Sequence, residues 1–318
     1  MHKKIIMFFA ALAAVPMAHA ADADTTAPDL LVLRSAVNKL EPPVLGIHWT
    51  REYHASHALS LGGLGGRNPN MTFHNGKIMP TVVSKAIFWG PSWANASFAG
   101  DKITGIDSWY QGHNNSHYAA TVGEYTGTNG QVGSSGFTHQ GHLIDTSTAS
   151  GGGSTSAILA EVCKQVTAGN IAPDTAGNGY YPVYTDVKRG TANYCAWHSA
   201  GTCSGVPVQF AFFFNLDGDS SCDPQDTSGK HSQGLSAIAN VTAHELSEAR
   251  SDPASPGAWY DSSGNENGDK CAWTFNVPLV TLSNGSQWKL QGEWSNSAYN
   301  NKTGYANSSG QKGCVSGL

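Results

Sequence analysis

The segment Val206-Pro-Val-Gln-Phe-Ala-Phe-Phe-Phe214 constrains the fold more than any other part of the chain. It is apolar almost without interruption, rich in aromatic residues and too short for a buried helix. A strand of this kind is covered on both faces, which requires a sheet with layers packed on each side. The surrounding pattern supplies them. Lys77–Trp89 reads as a strand through Ile78, Val82, Val83, Ala86, Ile87 and Phe88, and Tyr180–Thr185 as another. Asp101–Gln111 reads as a helix, and so does Thr155–Thr167, with Ile158, Leu159, Val162 and Val166 at helical spacing. Leu235–Arg250 carries the strongest helical pattern. Gly/Ser/Thr turns fall at 127–136 and 149–154, and 255–318 reads as irregular structure with short strands. The alternation predicts an α/β (α+β) body with a mixed sheet.

The N-terminus carries an export address. Lys3 and Lys4 precede an apolar run, Ile5–Ala18, and Ala18-His19-Ala20 is a small-x-small cleavage site, so residues 1–20 are predicted to be a signal peptide. The run is shorter than the ~20 residues that span a bilayer, and no later segment is apolar enough. Cleavage removes two of the 18 basic residues, leaving 16 against 23 acidic ones, a net of −7. That balance, with no basic run, argues against a nucleic-acid partner. Residues 21–69 read as a lead-in or propeptide-like segment. It has a short helix near Leu30–Leu40 and a linker around Gly62-Gly63-Leu64-Gly65-Gly66, so the ordered body is expected to begin near Met71 and to form one domain over 70–318. The six cysteines suggest three disulfides in an oxidising compartment. Cys195–Cys203 and Cys271–Cys314 are the expected pairs, the second stapling an irregular C-terminal region.

Chemistry concentrates on the last strong helix, in Ala243-His244-Glu245-Leu246-Ser247-Glu248. Leu235, Ile238, Ala239, Thr242, Leu246 and Ala249 form its apolar stripe. His244 and Glu248, four residues apart on the opposite face, stack one turn from each other and can share one metal ion. Glu245 holds the place of the general base in HExxH metallopeptidases. Glu248 replaces the second histidine; a carboxylate oxygen binds zinc at a similar distance but adds charge, which also admits harder ions such as calcium. A third ligand is expected downstream, from Glu266 or Asp269. The body is accordingly predicted to be zincin-like.

Taken with Asp252-Pro253, Ala258-Trp259-Tyr260 and Glu266-x-x-Asp269-x-Cys271, this helix resembles the EXORDIUM-like, phosphate-induced protein 1 family. Phe73-His74-Asn75-Gly76, Phe88-Trp89-Gly90, Tyr184-Thr185-Asp186 and Tyr194-Cys195-Ala196-Trp197-His198 resemble its other blocks. The resemblance spans roughly 70–271 and implies an extracellular protein associated with cell walls. Its bacterial relatives look like secreted metallopeptidase-type folds. It places His244, Glu248, Glu266 and Asp269 in the shared acidic/His block and Glu245 at the base position.

The expected function is a secreted Zn2+- (or Ca2+-) dependent hydrolase, most simply a metallopeptidase, acting on an extracellular protein or cell-wall substrate. His198 is a candidate transition-state donor or further ligand, against a purely structural loop role. The alternative is a non-catalytic polysaccharide-binding protein with a structural ion. Asn215, Asp217, Asp219 and Asp223 resemble the start of a calcium loop, and His139 with His142 a small metal pair. Trp89, Trp93, Trp109 and Tyr110 suit either a sugar platform or core packing.

Overall fold

The apolar run forms a strand deep inside a six-stranded mixed sheet. The protein is described from a computed structural model covering residues 41–61 and 68–318. In chain order the sheet comprises β1 (Val44–Trp49), β2 (Val82–Trp89), β3 (Phe137–Asp145), β4 (Gly179–Lys188), β5 (Tyr194–Cys203) and β6 (Val206–Asn215). Their spatial order is β1-β5-β6-β4-β2-β3. Strands β6, β4, β2 and β3 run parallel. β5 is antiparallel to β6, and β1 is antiparallel to β5. Phe210, Phe212 and Phe213 of β6 are wholly buried. The Phe212 ring stacks on Trp197 and that of Phe213 on Tyr184, the two-sided burial that the continuous apolar run requires.

Four longer helices accompany the sheet: α1 (Arg51–Leu61), α2 (Lys102–His113), α3 (Thr155–Thr167) and α4 (Gln233–Ser251). Ser154 and Ser232 cap α3 and α4, their side chains accepting from Ala157 N and Leu235 N. Side chains alternate along β5. His198 faces the carboxylates of α4. The Trp197 indole donates to Gly152 O, and a Cβ on Gly201 would meet Leu159 of α3. Helices α4 and α3 therefore cover opposite faces. Every residue of α4 from Gly234 to Ser251 is buried, including the polar face that bears His244 and Glu248. That face is covered by β1 and by the loops after the helix.

Several expectations need correction. The body does not begin at Met71, because β1, from the lead-in, is the edge strand of the main sheet. The expected helix near Leu30–Leu40 and the glycine linker at 62–67 lie outside the described residues. Strands β3 and β5 escaped the sequence reading: the burial of β3 alternates but its residues do not, being polar or glycine from Thr138 to His142, and β5 has a glycine and two cysteines. Cys195 does not pair with Cys203. Both lie on β5, and eight steps of ~3.3 Å hold their sulfurs far apart. The bridges are Cys163–Cys203, Cys195–Cys222 and Cys271–Cys314, the last as expected. It ties the loop after α4 to a small sheet of Glu293–Trp294, Lys312–Val315 and Tyr305–Ala306. Among the described residues, no helix is long and apolar enough to cross a membrane.

Candidate metal centre

The polar face of α4, one residue of β5 and the loop after α4 meet in a single buried cluster. On α4, the one-turn spacing brings His244 Nε2 to 3.0 Å from Glu248 Oε1. From β5, His198 Nε2 lies 2.9 Å from Glu266 Oε2 and 3.7 Å from Glu248 Oε2. Asp269 Oδ1 is 3.8 Å from His244 Nε2. The loop is pinned in place by its own backbone: Asp269 N donates to Glu248 Oε1 (3.0 Å) and Glu266 N to Asp269 Oδ2 (3.0 Å). Two trios offer ligand atoms within 4.8 Å of one another: His244, Glu248 and Asp269, and His198, Glu245 and Glu248. This buried His/Glu/Asp cluster could hold a metal ion.

Its electrostatics call for a cation. His198, His244, Glu245 and Glu248 have no exposed surface, and Glu266 retains 1%. The nearby basic side chains are engaged elsewhere. Lys270 pairs with Asp261 at 2.7 Å, and Arg250 donates to the carbonyls of Ala119 and Gly133. Burial holds the carboxyl of Glu248 above the ordinary range. Burial, followed by the charge of Glu248, pushes Glu245, Glu266 and Asp269 up as well. The same burial pushes His198 and His244 down to about 3, so both imidazoles are neutral at pH 7, the form that ligates metals. Among the described residues, His244 Nε2, Glu245 Oε2, Glu248 Oε2 and Glu266 Oε1 are buried without a hydrogen-bond partner. Buried polar atoms are rarely left so, and carboxylates without a counter-charge are costly. A divalent ion would answer both problems, and the nitrogen and oxygen donors suit zinc or a harder ion.

Two further residues frame the cluster. Gln291 Nε2 lies 3.0 Å from His244 Nδ1, and its Oε1 lies 3.0 Å from His48 Nε2. His48 N donates to Glu245 Oε1 at 3.1 Å, and its ring centroid is 4.2 Å from that of His244. These partners hold the ring of His244 and one oxygen of Glu245, and leave Glu245 Oε2 free. Sequence reading missed both. One stands in the lead-in and the other in the irregular tail, and no local pattern marks them. Gly268 is required where it stands: a Cβ there would lie 2.8 Å from His244 Nδ1 and 2.9 Å from Glu248 Oε1.

The remaining candidates fall elsewhere. His139 and His142 of β3 both bond the carboxylate of Asp107 on α2, at 2.8 and 2.6 Å. The acidic turn after β6 does not make a calcium loop: Asp217 pairs with Lys102, Asp219 with Arg189, and Asp223 Oδ1 accepts from Gln225 N. Trp93, Trp109 and Tyr110 are buried in the main core and Trp89 is nearly so, which removes the sugar-platform reading. No family model matches the chain, and no curated protein matches it.

Proposed function

We propose that the protein is a secreted metal-dependent hydrolase of the metallopeptidase type. One observation carries the reading: two neutral histidines and four carboxylates converge in a cluster that, among the described residues, no lysine or arginine neutralises. His244, Glu248 and Asp269 would hold the ion, with Glu266 beside them. A zinc ion there would supply Lewis acidity, polarising a carbonyl and making a water easier to deprotonate. Glu245, held by His48 through Oε1, accepts the proton of the attacking water at its free Oε2 and passes it to the leaving amine. His198 faces the same space from β5 with Nε2 2.9 Å from Glu266 Oε2, and its single N–H, on Nε2, would turn from Glu266 to the carbonyl oxygen as negative charge develops there. Export belongs to the same proposal, supported by the leader-like N-terminus and the three disulfides, and kinship with the EXORDIUM-like family is proposed on the sequence blocks alone.

The experiment is elemental analysis of the purified protein and of His244→Ala, with protein hydrolysis measured with and without chelator. Stoichiometric zinc lost in the variant, with chelator-sensitive hydrolysis, supports the reading. Calcium alone, or no metal, overturns it.

A specific observation favours a second reading. His198, His244, Glu245 and Glu248 have no exposed surface, as the ligands of a structural ion would. On that reading the protein binds cell-wall polysaccharide without turning it over. Retention on insoluble polysaccharide that survives Glu245→Gln, with no hydrolysis of any protein, would favour it.

A further inference from the structure

Strand β1 closes the cluster, and it does so in the manner of a bound peptide. Its register with β5 sets Gly46 beside His198. A Cβ on Gly46 would lie 2.2 Å from Glu248 Oε2, 2.6 Å from His198 Nε2 and 2.7 Å from Glu266 Oε2. Three candidate ligand residues thus point at the spot where a side chain would begin, and only glycine lets the strand pass. Two residues on, and on the same face, His48 donates its N–H to Glu245 and lays its ring against His244. One short strand therefore meets four residues of the proposed machinery directly, and Glu266 as well.

β1 has the placement of a peptide added to a sheet edge. Among the described residues it is the terminal strand of the sheet and pairs with β5 alone, antiparallel. Besides that ladder, the His48 contacts and the burial of Ile47, it is clasped at its two ends. On the N-terminal side, the Glu41 carboxylate accepts hydrogen bonds from the hydroxyls of Ser154, Thr155 and Ser156 at the start of α3. On the C-terminal side, Thr50 N donates to Asn193 O, the Trp273 indole to Trp49 O, and the Arg51 guanidinium lies over the Trp273 ring. None of the three disulfides includes a residue of 41–61. A free edge strand beside a cluster of this chemistry is a binding site for an extended polypeptide: main-chain hydrogen bonds give affinity, and alternate side chains give register.

We infer that residues 41–61 are an autoinhibitory segment occupying the substrate's place. The edge of β5 receives an extended peptide chain, antiparallel, with glycine or another very small residue facing the cluster. The inference rests on the hydrolase reading for its chemistry, and on Gly46 and the strand pairing for its geometry. The segment holds the site shut until it is displaced, which also accounts for the full burial of His198, His244, Glu245 and Glu248 in a protein read as an enzyme.

The test uses the full chain with a recognition sequence for a site-specific protease inserted within 62–67. The protein is folded with its disulfides and then cut. The segment should leave under native conditions. A synthetic 41–61 peptide should rebind one to one, and its Gly46→Leu version about 10–100-fold more weakly, the effect of overfilling one packed position. Hydrolysis of peptides should rise at least about tenfold on release and fall again when the peptide returns. A segment that leaves only when the body unfolds would show β1 to be an integral strand and overturn the inference. So would equal binding of the two peptides, or a measurable turnover that release leaves unchanged. Rebinding as expected with no turnover on any peptide would keep the edge site and sink the hydrolase reading, so the two failures are distinguishable.

Discussion

His198 and Glu266 stand 68 residues apart in sequence, and their side chains meet at 2.9 Å. That contact ties β5 to the loop after α4 and brings ligand-type atoms from two directions onto the face of one helix. Substitutions in the cluster should be read first in metal content. His244→Ala should lower bound metal to a small fraction of one equivalent. His198→Ala should leave metal in place while lowering turnover, because the ion is assigned to His244, Glu248 and Asp269. Atomic spectroscopy of both proteins checks this. Loss of metal in His198→Ala with retention in His244→Ala would reverse the assignment.

Glu245→Gln separates a base from a ligand. The amide keeps the shape and still accepts from His48 N, whose bond to Glu245 Oε1 is 3.1 Å, but it cannot take a proton. As general base, its loss should lower kcat by about 100- to 10,000-fold with metal content and circular dichroism unchanged. Metal lost along with activity would place Glu245 among the ligands, in the trio with His198 and Glu248.

The parts of this architecture written locally were legible. The apolar run announced β6, and the capped periodic segments announced α3 and α4 almost to the residue. His244, Glu245 and Glu248 were visible because a helix fixes how residues four apart relate. The acids at 266 and 269 could be suspected from spacing alone. What set the rest was long-range pairing. β5 shows too little alternation to declare itself, yet it delivers His198. β1 sits in a stretch whose composition reads as a lead-in, and its role rests on Gly46, whose meaning appears only when β5 and α4 stand beside it. The Cys195–Cys203 expectation failed for the same reason: closeness in sequence suggested a small loop, whereas a strand holds those residues apart.

The Cys195–Cys222 bridge joins β5 to the segment leading into α4, across a separation of 27 residues. Both sulfurs lie in the main core, and Cys195 is three residues from His198 on the strand. Replacing both cysteines by alanine should cost about 3 kcal/mol through the freed unfolded chain. Denaturant titration in the same buffer measures it. A loss below about 1 kcal/mol would mean that packing around the two positions, not the covalent tie, holds β5 to α4.

Asp261 gives the loop that carries Glu266 and Asp269 an acid limit. Burial opposes its charge, but the charge of Lys270 and hydrogen bonds from Lys270, Ser263 N and Asn265 N outweigh that, and the carboxyl titrates below its ordinary value. A depressed carboxyl contributes stability that is fully present above the unfolded pKa, near ~3.9, and is lost as pH falls through the lower folded value. Asp261→Asn should therefore speed amide exchange across 261–271 relative to the natural chain at pH 7. The difference should shrink steadily below about pH 4. Hydrogen exchange of both proteins from pH 7 to pH 2.5 reads it directly. A difference that stays constant across that range would show that the Lys270 pair, 2.7 Å long in the folded chain, holds nothing in the loop through its charge.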